Sequence, residues 1–526
     1  MTPKAVATID QTVAPADSEL VKSFKAARRV SSPLIAIETP DPAATIKAIR
    51  VSLNGVVPTC QWDAVRGLIG LNETGQAELT KFPNLFQSVN FVTAMEMAEK
   101  FSEKTVVFIL NAHRQLAETG NVQAVWNLRD KFKMNRRQLV LLGPTFKLPV
   151  ELTGDIHLLS EPLPTRAELE AIVDQQHKNA NLALPVGAVR EAALDAVIGL
   201  SAYTAEEATA ISLTPKGIDV AKLWERKIQA IENTAGLRVW RGQEKLEDLK
   251  GLDNVVEFFT RYIAKNAFKV IVFIDEAEKA FAGGMAEHVG DSGVGKDQVG
   301  QVLSYIQDGV MTPKGRKAHL GVLLGGVAGC GKSQLAKAVG KASGKPVLVF
   351  DLGGMKGGVV GQSEATIRVG LKMVTAMAGE GGRVLFIATA NKTTTFSPEM
   401  NRRFPDQFFH DLLDKAGRRA VWDVYVSKLG LTAEQATFPE GFDDGWTGAE
   451  IERACERAAE FETTVVEAAR YIIPSAVSAR QVIKDLRSSA SGRFLSASKP
   501  GWYKSPEDER PDEAPLPTER TIEVGE

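Results

Sequence analysis

Cysteine is nearly missing from this 526-residue sequence: only Cys60, Cys330 and Cys455 occur, far apart. Three isolated thiols build neither a disulfide framework nor a zinc site, and they point to a reducing compartment. Charge of one sign is missing too. The 63 basic side chains nearly cancel the 65 acidic ones, leaving a net −2. That balance gives no global argument for a nucleic-acid or membrane partner, although a local basic stripe is compatible with it. No apolar run reaches the ~18 residues of a membrane span. The start of the chain shows no charged-then-apolar signal pattern, and Asp10, Asp17 and Glu19 argue against a transit peptide. The expected location is cytoplasmic, or stromal if the source bears plastids.

What is present is an ordinary globular balance, 44% hydrophobic and 24% charged. The length suits roughly three or four domains at ~100–200 residues each. Residues 1–30 read as a flexible leader. An α/β block is expected over 31–236, with strands at 33–39, 104–112 and 137–144. Helical stretches such as 121–133 alternate with these strands, which implies a mostly parallel sheet. A capping box is expected from Thr204 to Glu207. A second α/β core runs over 237–425: a connecting segment, 237–250, leads into the helix of "GLDNVVEFFTRYIAKNAF". A small helical domain follows, 426–490. The remainder, 491–526, reads as a tail; from 503 on it holds four prolines and eight acidic residues against three basic ones, the composition of a disordered end.

The chemistry concentrates in the second core. "GVAGCGKS", Gly326, Val327, Ala328, Gly329, Cys330, Gly331, Lys332 and Ser333, fits the phosphate-loop pattern G-x-x-x-x-G-K-[ST] in full, with Gln334 next. Glycines let backbone N–H groups curl around phosphate, and the following helix adds its positive end. Lys332 would reach the β/γ-phosphates and Ser333 would hold Mg²⁺. Cys330 sits at a variable position and reads as a bystander. "VIVFIDE" is an apolar strand ending in Asp275, a second magnesium ligand, and Glu276, the group to polarise the attacking water. The alternative, a strand ending in a solvated acidic turn, loses ground beside an intact phosphate loop, because the loop requires an acidic strand and no other strand offers one. Asn391 ends "RVLFIATAN", where an amide can orient the water beside Glu276; the alternative is a turn-forming Asn at a strand end. Arg402 and Arg403 follow in "SPEMNRRFPDQFF", either an exposed basic turn or a finger offered to a neighbouring subunit's γ-phosphate. In "GWTGAEIERA", Thr447 and Glu450 form a capping box, and the small Gly448 and Ala449 could let backbone approach an adenine ring.

Together these segments resemble the AAA ATPases. The likeness narrows to the plastid and cyanobacterial family of hypothetical chloroplast reading frame AAA proteins, through "FIDEAEKAF", "GGVVGQSEATIR", "SPEMNRRFPDQFF", "GWTGAEIERA" and "GRFLSASKPGWY", and in the first block through "LVLLGPTFKLPVEL" and "PLPTRAELEAIV". The resemblance implies an α/β P-loop NTPase module with a helical lid, preceded by a degenerate AAA-like α/β domain. It further implies Mg²⁺-dependent ATP hydrolysis and a homo-oligomeric ring, a hexamer foremost.

Three departures matter. In the family the phosphate loop precedes the Asp-Glu strand; here that strand comes first. The expectation is a strand order rearranged within one domain, with 309–320 as the new connector and Asp275 still beside Ser333. The competing reading assigns the strand to another domain and leaves the ATPase defective. Second, the first block has "ETPDPAATIKAI" where a phosphate loop would stand and Asn111-Ala112 where an acidic pair would stand, so no nucleotide site is expected there; Trp62 and His113 read as packing residues. Third, Val359 and Val360, near Lys356, replace the aromatic that translocases place before the pore glycine. Two functional readings stay open: remodelling of a protein partner, and a nucleotide-controlled assembly scaffold. The lack of a basic, aromatic-rich patch weighs against a nucleic-acid motor.

Overall fold

In the computed structural model the chain divides into two units, Met1–Asp219 and Val220–Glu526. It describes residues 18–82, 89–233, 236–240, 242, 244–265, 268–278, 302–312, 315–351, 362–379, 382–392 and 398–508. Lys356, Val359, Val360 and the chain beyond 508 lie outside these residues.

The first unit is built on six strands: β1 Leu34–Glu38, β2 Thr59–Asp63, β3 Gly67–Gly70, β4 Val106–Ile109, β5 Gln138–Gly143 and β6 Ile156–Ser160. Their order across the sheet is β3-β2-β4-β5-β1-β6. All pairs are parallel except the β2–β3 hairpin. β1 and β5 are buried at every residue, which is why they read as unbroken apolar runs: a central parallel strand is covered on both faces. Trp62 packs edge-on against Phe91 and His113 against Phe146, both as packing residues. The sequence expectation of a leader over 1–30 fails for its described part. Glu19–Arg29 is a helix, capped by the Ser18 hydroxyl, and it buries Leu20, Val21, Phe24 and Ala27 along one stripe. Helices Arg166–Asn179, Gly187–Val197 and Ala202–Ser212 close the unit with a small hairpin, β7 Leu213–Thr214 and β8 Gly217–Ile218. The cap of Ala202–Ser212 is Ser201, which accepts from the Thr204 N–H. Thr204 therefore lies inside the helix, and the Thr204–Glu207 capping box is not formed.

The second unit begins earlier than the 236/237 boundary expected, taking in the helix Val220–Glu232. Its strands are β9 Leu237–Trp240, β10 Phe268–Ile274, β11 Val310–Thr312, β12 Gly315–Lys317, β13 Leu320–Gly326, β14 Val347–Phe350, β15 Arg383–Ala390, β16 Asp406–His410 and β17 Leu495–Ser496. Seven form one sheet, ordered β17-β16-β13-β15-β10-β14-β9, parallel apart from the edge strand β9. Every residue of β13 is buried, and β10 is buried throughout except Lys269. The connector expected at 309–320 is largely the β11–β12 hairpin. The helical part starts at Lys415 rather than 426. Its helices Lys415–Leu429 and Gly448–Glu460 enclose Trp422, Trp446, Ile451 and Cys455. Residues 491–505, expected as tail, are built in. β17 pairs with β16, and buried Tyr503 donates its hydroxyl to Asp411 Oδ2 at 2.7 Å. No helix among the described residues is long and apolar enough to cross a membrane.

Candidate functional site

β15 lies between β10 and β13. The C-terminal ends of these three parallel strands therefore meet, and each delivers one part of the site. From β13 comes the loop. Gly326 has φ +135°, and a Cβ there would stand 2.1 Å from the His410 carbonyl oxygen, which accepts from Val327 N–H at 2.9 Å. Only glycine lets the chain leave β13 so close to β16. Lys332 opens the helix Lys332–Ser343. Its ammonium donates to the carbonyls of Gly326 at 2.9 Å and Val327 at 2.7 Å, beneath the loop. Burial lowers its pKa, while Cys330, Glu278, Asp275 and Glu276 pull the other way.

From β10 come the carboxylates. Asp275, exposed just past the strand, accepts at Oδ1 from the Ser333 hydroxyl at 3.0 Å. The acid that precedes the loop by more than fifty residues thus meets the loop's last hydroxyl. Asp275 Oδ1 also accepts from the Thr389 hydroxyl of β15, and Thr389 Oγ1 accepts from Glu276 N–H at 3.1 Å. One threonine thereby fixes both acidic residues. Glu276 has φ +48°, the left-handed region, so the backbone breaks off the strand direction at that residue; such a conformation is strained by of order 1–3 kcal/mol.

From β15 comes Asn391, whose N–H donates to Glu278 Oε1 at 3.0 Å. Glu278 is buried, and its Oε2 has no hydrogen-bond partner among the described residues. Thr389 and Glu278 are site residues that sequence reasoning missed. A threonine inside "FIATAN" and a third acid in "DEAE" were the available signals. His410 is a third. Fully buried, it presents Nδ1 to the Cys330 carbonyl at 3.0 Å. A carbonyl only accepts, so Nδ1 carries the proton. Burial, with Lys332 nearby, pushes the imidazole pKa down to about 3. The Cys330 thiol is buried and pushed up to about 12 by desolvation, an inert packing group.

The lid closes on the loop through Gly448 and Ala449. Ala449 N–H donates to the Gly329 carbonyl at 3.1 Å. Gly329 has φ +79°, and a Cβ on it would stand 2.9 Å from Thr447 Oγ1. The capping box is formed: Thr447 Oγ1 accepts from Glu450 N–H, and Glu450 accepts from Thr447 N–H at 2.8 Å. Gln334 Nε2 reaches the Tyr425 hydroxyl at 3.4 Å, a second tie to the lid. Arg402 and Arg403 stand elsewhere. They end the short helix Pro398–Arg403; Arg403 donates to Gln307, and its carbonyl packs on Gly321 at the start of β13. The loop leaves the far end of that strand, roughly 16 Å away at ~3.3 Å per residue.

Donor chemistry suits magnesium. Two hard oxygens, from Ser333 and Asp275, lie 3.0 Å apart. Neighbouring ligands of an octahedron with ~2.1 Å bonds are separated by about 3 Å, with the other positions left to water and phosphate.

In the first unit the corresponding turn after β1 is filled by the chain itself. Asp41 caps the helix Pro42–Ser52. Thr39 and Thr45 turn their hydroxyls to the Glu161 carboxylate, the latter at 2.9 Å. Burial raises the Glu161 pKa.

The sheet, the loop and the acid beside it define the second unit as an α/β P-loop NTPase fold carrying an AAA module. Residues 322–387 match the ATPase family associated with various cellular activities (AAA), and residues 20–160 match the SpoVK-like AAA ATPase N-terminal domain. The whole chain resembles the plastid ycf46 proteins. It is 23% identical to an uncharacterized AAA domain-containing protein ycf46 of Guillardia theta, over 91% of this chain and 96% of that protein. The ycf46 proteins of Trieres chinensis (25% identity, 86% and 92%) and Pyropia yezoensis (23%, 89% and 96%) are similar in the same way.

Proposed function

We propose that the chain is a Mg²⁺-dependent ATPase with a single nucleotide site, in the second unit. The hydrogen bond between Ser333 and Asp275 carries the reading, because it joins the loop to the acidic strand. It favours a strand order rearranged within one domain over an acidic strand belonging elsewhere. The extent of the AAA match supports the same view: it begins in β13 and stops inside β15, leaving β10 ahead of it.

Bound magnesium would neutralise phosphate charge in the ordinary way of such sites. The chain's own groups have separable tasks. Loop N–H groups and Lys332 hold the β/γ-phosphates. Ser333 and Asp275 present the metal-binding oxygens. Glu276 accepts the proton of the attacking water, and Thr389 sets its backbone. Asn391, braced by Glu278, orients that water. Arg402 or Arg403 serves a neighbouring copy, since both lie at the wrong end of β13 for their own loop. Glu161, seated where the first unit would need to receive phosphate, supports a domain without a nucleotide site.

Hydrolysis is coupled to remodelling of a protein partner. The lid contact at Gly329 favours this over a passive scaffold, because it ties the phosphate loop directly to the helical domain. Phosphate release measured with Glu276→Gln tests the reading: nucleotide should still bind while turnover stops. Unchanged turnover would place the base elsewhere.

A further inference from the structure

Granted the reading that one arginine of the pair serves a neighbouring copy, we infer that Gln307 is a positioning residue that holds Arg403, rather than Arg402, ready for that copy's γ-phosphate. Gln307 Oε1 accepts a hydrogen bond from Arg403 Nη2. Arg402 is exposed, whereas Arg403 is half-buried and its guanidinium is tied to this glutamine.

Both partners stand on anchored backbone. Gln307 is exposed, in the helical stretch 302–308, but the stretch around it is packed: Val302, Leu303 and Ile306 are buried. The Ile306 carbonyl accepts from His319 N–H at 3.1 Å, just ahead of β13. Tyr305 stacks on the His319 ring with centroids 4.8 Å apart, and its hydroxyl lies 2.8 Å from Thr375 Oγ1. His319 Nδ1 in turn accepts from Val384 N–H of β15 at 3.2 Å. On the other side, the Gln407 amide donates to the Phe404 carbonyl at 2.9 Å and to Asn401 Oδ1 at 3.2 Å, closing the turn that carries the arginines. A Cβ on Gly321 would stand 2.2 Å from the Arg403 carbonyl oxygen, so that backbone lies directly on β13.

The acceptor's chemistry suits the task. An amide oxygen is neutral, so it fixes the guanidinium without cancelling the charge that phosphate needs. A carboxylate at the same place would form an ion pair and compete with the anion. Holding a long side chain in advance also spares the rotamer entropy otherwise lost on engagement. Such placement matters, because a shift of about 1 Å near reacting groups can cost about 100-fold in rate.

Phosphate release by full-length Gln307→Leu and Gln307→Glu tests this. Gln307→Leu should lose about tenfold or more in kcat, with KM for ATP little changed, because the arginine acts on a transition state in another chain. Gln307→Glu should lose as much, although its ion pair with Arg403 keeps the thermal midpoint at or above the parent's. A merely structural contact would leave the Glu variant active. Mixing then assigns the defect to one side of an interface. Gln307→Leu chains keep the base and lack an aimed arginine. Mixed with Glu276→Gln chains they should release phosphate faster than the mean of the two proteins alone, and mixed with Arg403→Ala chains they should gain nothing. Parental kcat in either Gln307 variant overturns the inference, and so does restoration by Arg403→Ala. Mixtures of Glu276→Gln with Arg403→Ala report on the underlying reading. If those two restore each other while Gln307→Leu behaves otherwise than stated, the positioning role alone is wrong. If they do not, Arg403 serves no neighbour and both fall.

Discussion

Thr389 does more at this site than its position in an apolar strand suggests. Its hydroxyl donates to Asp275 and accepts from Glu276 N–H, so its two interactions reach the proposed metal ligand and the proposed base. Thr389→Val keeps the shape of the strand and removes both. Because Asp275 is exposed and Glu276 half-buried, each lost hydrogen bond costs only about 0.5–1.5 kcal/mol. Turnover should fall at least tenfold, mostly in kcat, with the urea midpoint lowered; a variant with parental kcat would show that Asp275 and Glu276 are held by other means. Glu276→Gln should cut turnover by about 100-fold or more, the usual contribution of a positioned general base, with nucleotide affinity retained in a fluorescence titration. His410 gives the pH dependence. Its folded-state pKa, about 3, lies below its usual 6.5. Unfolded chains therefore take up the proton first as pH falls. The associated stability is complete above about pH 6.5 and is lost toward pH 3, at about 1.4 kcal/mol per pH unit. Urea midpoints at pH 7, 6 and 5 should decline in the parent, and less steeply in His410→Gln.

At the scale of elements, the lid is fastened to the loop by few atoms. Ala449 N–H bonds the Gly329 carbonyl, and Gly329 has no room for a Cβ below Thr447. Gly329→Ala would combine a left-handed φ with a 2.9 Å contact. It should destabilise by about 1–3 kcal/mol and loosen the lid, raising KM for ATP more than it lowers thermal stability elsewhere. Hydrogen exchange in Gly448–Glu460 should rise selectively; protection equal to the parent's would show that the lid is held independently of this contact. These elements were legible to different degrees. The loop, the acidic strand and the Thr447 cap are local patterns, and each stands where its spacing put it. Thr389, Glu278 and His410 matter only because β15, β10 and β16 are brought together in the sheet, which no local pattern records. The helix Glu19–Arg29 was hidden for another reason: its stripe of Leu20, Val21, Phe24 and Ala27 is interrupted by lysines and arginines, so composition reads as solvated. The tail 491–505 was misread likewise, because one short strand and Tyr503 anchor a polar stretch.

For the whole molecule, the position of the arginines decides how many chains a working site needs. The Arg403 carbonyl rests on Gly321, at the start of β13. The loop that would receive ATP leaves from Gly326, roughly 16 Å along the strand. A side chain of arginine length cannot bridge that gap within one subunit, yet stacking copies can bring one subunit's edge to the next subunit's loop. Turnover should therefore rise with protein concentration, and Arg403→Ala should lose it by about 1,000-fold, the scale of an arginine supplied from a neighbour. Arg402→Ala, assayed in parallel, identifies which of the two serves. Mixing separates this from damage to the fold. Glu276→Gln chains keep the arginine and lack the base, whereas Arg403→Ala chains keep the base and lack the arginine. Each is inactive alone. Mixed and allowed to exchange subunits, they should regain a measurable fraction of parental phosphate release, greatest near equal amounts, because some interfaces then pair an intact base with an intact arginine. Mixtures that exchange subunits yet stay inactive at every ratio would show that both groups act within one chain, and would remove the reason to expect an assembly.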